Sequence, residues 1–150
     1  MSLQTKRKGV AAVEFALVAP LLCMAFLSMI EISRAIQVSQ IITNAARDGA
    51  RCISQTVSGP TAPWTQQAGT QAGATEVIND YLTNANTYGN TGLPTVTPTY
   101  TELTDPTGIK SYQVTITIPY SQVAYFPPIF LKGNLTARCV FRSEKQGGEP

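Results

Sequence analysis

The chain has 150 residues, of which 43% are hydrophobic and only 13% charged, about half the ~25% charge of an ordinary soluble domain. Such a length is one domain's worth, and the shortage of charge asks for a membrane segment, a Thr/Ser/Asn-rich secreted surface, or both. The formal net charge of +2 is concentrated at the start, where Lys6, Arg7 and Lys8 hold three of the eleven basic residues. Beyond Gly9, eight basic and nine acidic residues remain, so the body of the chain is near neutral. It lacks the basic surface that phosphates demand, which speaks against nucleic acid as a partner. The absence of histidine removes the commonest general base and the commonest metal ligand.

From Val10 to Ile30 the only charged residue is Glu14. As a helix this run would be ~31 Å long, enough to cross the ~30 Å hydrocarbon core of a bilayer. The basic residues before it place the N-terminus in the cytoplasm by the positive-inside rule, and the rest of the chain on the far side. A carboxylate in such a segment costs about 2.5–3.5 kcal/mol at the helix centre and less near an interface, so Glu14 is a candidate functional residue. Pro20 is expected to bend or locally unwind the helix.

Three kinds of leader fit an apolar start. A secretory signal peptide could end at Ser33-Arg34-Ala35, but the sixteen apolar or small residues between Glu14 and Glu31 exceed the usual core of such peptides. A lipoprotein signal at Cys23 fails because Leu22 stands where a small residue is needed. In the third, a basic leader ends in Gly9 and is cut before Val10, leaving Glu14 as the fifth residue. That arrangement resembles a type IV prepilin signal. The resemblance implies processing between Gly9 and Val10 by a prepilin peptidase, with Glu14, beside Phe15, meeting the free amino terminus of a neighbouring subunit. Pairing of that kind removes the cost of burying either charge alone. A Glu14 that reaches the headgroups without a partner is the alternative.

The apolar periodicity continues past the span. Ile32, Ile36, Ser39, Ile42, Ala46, Gly49 and Ile53 recur every three or four residues, with Ala35, Ala45 and Ala50 beside them. Glu31, Arg34, Gln37, Gln40, Arg47, Asp48 and Arg51 fill the other faces, as in an amphipathic helix. Val10 to Ser54 would form one rod ~67 Å long. The small residues at Ala45, Ala46, Gly49 and Ala50 allow close approach, either to a neighbouring subunit or to the chain's own sheet.

The stretch from Gly9 to Pro20, then Glu31-Ile-Ser-Arg-Ala35, then Asn44-Ala-Ala-Arg-Asp-Gly-Ala-Arg51, resembles the TadE-like family. These are minor pilins, or pseudopilins, of the tight-adherence (Tad, type IVc) pilus of bacteria. TadF-like and TadG-like relatives share this start, but TadG-like chains are generally much longer. The hundred residues beyond resemble the family only loosely, through strand pattern and the Arg142-Ser-Glu144 ending. The resemblance implies residence in the inner membrane with the head in the periplasm. Its expected partners are the prepilin peptidase, major and minor pilins, an inner-membrane assembly platform and membrane lipid. A single-pass inner-membrane protein carrying a periplasmic binding module, outside any filament, is the alternative.

The expected organisation is a leader over 1–9, a transmembrane half-helix over 10–30, an amphipathic half over 31–54 and a globular head over 55–150. Gly59-Pro60-Thr61-Ala62-Pro63 breaks the chain after the first helix. Trp64, Ala68, Ala72, Ile78, Leu82, Ala85 and Tyr88 form a second helical stripe, weakened by Gly69 and Gly73 and ended by Gly89-Asn90-Thr91-Gly92. Strands follow. One covers Thr95 to Leu103, with a turn at Asp105 to Gly108. The cleanest alternates Tyr112, Val114, Ile116 and Ile118 with polar residues, and a third carries Leu135, Ala137, Cys139 and Phe141 on one face. The fold class is therefore α+β, a long helix packed on a small antiparallel sheet with a second helix. Tyr125 to Phe130 makes an apolar loop that covers the sheet edge or contacts a partner subunit.

Cys23 lies in the apolar span as a small filler. Cys52 ends the long helix and Cys139 sits on the apolar face of the last strand, and after export both would meet an oxidising compartment. A Cys52–Cys139 disulfide is expected, with two unpaired buried thiols as the alternative. No histidine is present to activate a serine or cysteine, no phosphate-binding loop appears, and two cysteines make no metal site. No enzymatic activity and no cofactor are expected.

Overall fold

The computed structural model describes residues 4–55, 69–85, 93–106, 108 and 110–143, with side chains from Gly9 onward. The 51-residue helix α1 (Gln4–Ser54) is followed by α2 (Gln71–Asn84) and strands β1 (Thr99–Thr104), β2 (Lys110–Pro119) and β3 (Asn134–Arg142). A 3₁₀ turn at Tyr120–Gln122 leaves β2. The fold is α+β, as the sequence pattern requires. Residues of the expected leader, from Gln4 onward, continue the same helix, and the helix runs through Pro20 without a break, so the expected local unwinding does not occur.

The three strands form one antiparallel sheet in the order β1-β2-β3. The register sets Val114, Ile116 and Ile118 opposite Cys139, Ala137 and Leu135, so one face carries all six. That face and α2 both close on the upper part of α1. The resulting core joins Val38, Ile42, Ala45, Ala46, Ala50 and Ile53 to Ala74, Ile78 and Leu82 and to the inner residues of β2. Such a small sheet is stable only when a helix covers it.

Several details of the head differ from the expected pattern. The first strand begins at Thr99 instead of Thr95. Residues 95–98 lie outside the ladder because Pro98 has no N–H to donate, and the Val96 N–H donates to Asn79 Oδ1 at 3.0 Å instead. Phe141 shares the inner face of β3 but stays exposed. Gly69 precedes α2 instead of weakening it. Its φ of 80° suits glycine, and its N–H donates to the Cys52 carbonyl at 2.9 Å, tying the start of α2 to the end of α1. Thr70 then caps α2, accepting from the Gly73 N–H at 3.1 Å. Ala72 is exposed, and Gly73 and Ala74 are buried in its place. At the expected turn, Gly108 (φ 79°) donates to the Asp105 carbonyl at 2.8 Å. The expected break at Gly59–Pro63, the stripe residues Trp64, Ala68 and Tyr88, the stop at Gly89–Gly92 and Glu144 of the final motif lie outside the described residues.

The stripe of small residues on α1 finds its partner within the chain. Ala45, Ala46 and Ala50 are fully or almost fully buried, and a Cβ on Gly49 would collide with the Ile78 side chain of α2.

Candidate docking site

The lower half of α1 carries Gly9, Val10, Glu14 and Phe15, and all four are exposed on the helix surface. From residue 9 to residue 27 only Ala19 is even half-covered. Val10, Val13, Phe15, Leu17, Leu21 and Phe26 all face outward. A run so apolar on every side, with no partner from the described head, needs lipid or other helices around it. It is long and apolar enough to cross a membrane. The structure brings Glu14 and Phe15 to no other described element.

The cover begins abruptly at Glu31, which is almost fully buried although charged. Its Oε1 accepts the Ile129 N–H at 2.9 Å, and its Oε2 accepts the N–H groups of Phe130 and Leu131, each at 3.1 Å. Three backbone donors thus converge on one carboxylate. The Ile129 N–H is the largest cause of a carboxyl held below its ordinary value. Desolvation opposes it, and the N–H groups of Phe130 and Leu131 add to the lowering. On the backbone side, the Tyr120 hydroxyl donates to the Glu31 carbonyl at 2.9 Å.

One turn higher, Arg34 repeats the grip. Its Nε donates to the Val123 carbonyl at 2.9 Å, another guanidinium nitrogen donates to Gln37 Oε1 at 3.0 Å, and its plane stands 4.5 Å from the Tyr125 ring centroid. Glu31 and Arg34, one turn apart, therefore clasp both limbs of the 120–131 segment to the helix. Neither was singled out from sequence, where both read as polar-face residues. The one local mark was a carboxylate at the end of the apolar run, and nothing near it in the sequence points to the loop it holds.

The cysteines do not join. All three are free thiols: Cys23 is exposed on the lower helix, Cys52 is buried, and Cys139 is half-buried against the same core. Cys52 and Cys139, expected to pair, stand as separate thiols in this structure. Cys139 lies opposite Val114 in the ladder and fills the sheet face as an apolar residue would. Burial pushes the Cys52 thiol up from its ordinary value. Among the described residues no cluster of acidic, cysteine or histidine side chains is suited to a metal ion.

Residues 9–51 match the TadE-like protein family. The match begins at the glycine before the apolar run and ends within the last turn of α1, so it covers the bare half of the helix and the two helix residues of the clasp, Glu31 and Arg34, but not the loop they hold. The matched segment, less than a third of the chain, indicates association with the Tad pilus, of which the TadE-like family is a component. No curated protein and no solved structure matches the chain.

Proposed function

We propose, starting from that TadE-like segment, that the chain is a minor pilin or pseudopilin that takes part in assembling a Tad-type pilus by packing its N-terminal helix against other subunits. One observation carries the reading: the family match falls on a helix whose lower half has no partner in the described head. Cleavage after Gly9 makes Val10 the mature N-terminus. Glu14 then lies one helical turn from that end, exposed on the helix, where it can meet the ammonium of an adjacent copy or relative. The head stands in the periplasm and supplies the surface that distinguishes this subunit from others.

Mass spectrometry of the native protein tests the processing step. A mature start at Val10 supports it. A start at Met1 or Ser2 leaves an anchored periplasmic module outside the filament, and a start at Ile36 means a released domain. Glu14→Ala should insert and be cleaved normally but fail to support piliation, and normal piliation in that variant would remove the docking role. A bulky residue at Gly9 should leave the leader attached without harming the fold, because a Cβ there meets nothing within 4 Å.

A further inference from the structure

The clasp places an unusual loop at the foot of the head. Tyr125, Phe126, Ile129 and Phe130 are all exposed, Phe126 at 62% and Ile129 at 56%. Large apolar side chains clustered on a short surface loop require a partner. Position narrows the choice. Tyr125 lines one groove with Met29, Ile30 and Ser33, and Phe126 lines another crevice with Ile30 and Glu31. The loop therefore abuts the last turn of the apolar span.

The backbone of the loop narrows it further. Pro127 and Pro128 have no N–H. The next three N–H groups, of Ile129, Phe130 and Leu131, all donate to the Glu31 carboxylate. From 127 to 131 the backbone presents no donor that needs water. Irregular backbone enters a lipid environment only when its polar groups are satisfied by protein. A sheet-edge cover in water has no such requirement. The loop's carbonyls are left to the hydrated headgroup level, and around the tip sit groups that favour that level: the amphipathic Tyr125 ring, Arg34 stacked on it, and the exposed Lys132 that follows.

We propose that the 125–130 loop is a membrane-interface anchor: its aromatic and aliphatic side chains enter the lipid boundary beside the emerging helix, and Glu31 holds it there by accepting the N–H groups of Ile129, Phe130 and Leu131. The occupant of the exposed patch is bilayer lipid. The head is thus seated on the membrane surface at a fixed height and orientation instead of swinging on its helix. This rests on the lower half of α1 spanning the membrane.

Depth-resolved fluorescence quenching tests it on the full chain in phosphatidylethanolamine/phosphatidylglycerol vesicles, in a Trp64→Phe background that removes the native tryptophan. Three single-tryptophan variants are compared: Phe126→Trp in the loop, Leu21→Trp in the span, and Val140→Trp on the exposed face of β3. Lipids brominated high on the acyl chain should quench Phe126→Trp several-fold more than Val140→Trp, with blue-shifted emission. Lipids brominated deep in the chain should quench Leu21→Trp. Adding Glu31→Gln should weaken the quenching at 126 and leave that at 21 unchanged. Quenching at 21 without quenching at 126 overturns the anchor and leaves the span standing. Quenching at neither position overturns the spanning reading and the anchor with it. A blue shift at 126 that escapes brominated lipid and disappears as protein is diluted into excess lipid assigns the patch to another subunit and also overturns the anchor.

Discussion

The two halves of α1 share one unbroken backbone and have opposite surroundings. From Val10 to Ile30 the side chains are apolar on every side but for Glu14 and Ser28, and almost all are exposed. Above Glu31 burial recurs with the helical period at Val38, Ile42, Ala45, Ala46, Gly49, Ala50 and Ile53, and the other faces are mostly polar, although Ile32 and Ile36, expected on the stripe, stay exposed just above the boundary. Helix propensity does not distinguish the halves; the surroundings each must satisfy do. A stripe is what a helix carries when one face packs on a head, and a uniform apolar coat is what it carries when lipid or other helices surround it. Glu31 stands at the change, and its carboxylate converts the end of the coat into the first contact of the head.

The largest expected effect sets matching truncations in the two halves against each other. Ile42 is 0% exposed and Leu21 is 70% exposed. Ile42→Ala should destabilise the head by about 2–5 kcal/mol through lost burial and the cavity left between helix and sheet. Leu21→Ala should change it by less than about 0.5 kcal/mol, as at other uninvolved sites. Thermal unfolding of the full chain in detergent, followed by near-ultraviolet circular dichroism of the head tyrosines, measures both. Equal losses would mean that the lower half supports the head after all, and the contrast would collapse.

A smaller effect probes the boundary itself. A carboxylate offers two acceptor oxygens, and Glu31 uses both. Glu31→Gln would set an amide donor against backbone N–H groups, so amide hydrogen exchange at Ile129, Phe130 and Leu131 should quicken while Val114 and Ile116 keep their protection. The pH dependence follows from the lowered carboxyl of Glu31. A group whose folded value lies below its unfolded one contributes stability above the unfolded value and loses it as pH falls through the folded value. The wild-type loop should stay protected through mild acid and open only below the ordinary carboxylate range, whereas the Gln variant should show no such step. Opening of the wild-type loop near neutral pH would refute the clasp.

Much of this contrast was legible in the sequence. The span, the amphipathic continuation and the alternation of Val114, Ile116 and Ile118 are periodic signals, and period is set by backbone geometry alone. The clasp was not, because Glu31 and the loop it holds are separated by nearly a hundred residues and no local rule relates them. The same limit applied to Cys52 and Cys139. Their positions on apolar faces were readable, but whether two sulfurs approach at bonding geometry depends on how strand and helix cross. Gly69 and Gly73 read as weak points of a helix, whereas one precedes the helix as its turn and the other is packed inside it.

The finest expected effect tests whether the small stripe of the upper half is reserved for α2. A methyl on Gly49 would come within 2.6 Å of Ile78 Cγ1, and Ile78 is fully buried in the core. Overpacking of this kind costs about 1–3 kcal/mol, against a gain of about 1 kcal/mol from alanine over glycine within a helix. Gly49→Ala should therefore destabilise the head by about 1 kcal/mol, a net of those two opposing terms. Ile78→Ala removes the colliding atoms and leaves a cavity of its own. In that background the Gly49 methyl should fill space, so the same Gly49→Ala change should become stabilising. Denaturant unfolding of the four proteins in the double-mutant cycle measures the coupling. Reversal of sign would tie Gly49 to α2 within one chain. An unchanged cost would place the collision elsewhere, and the stripe would again be open to a neighbouring subunit.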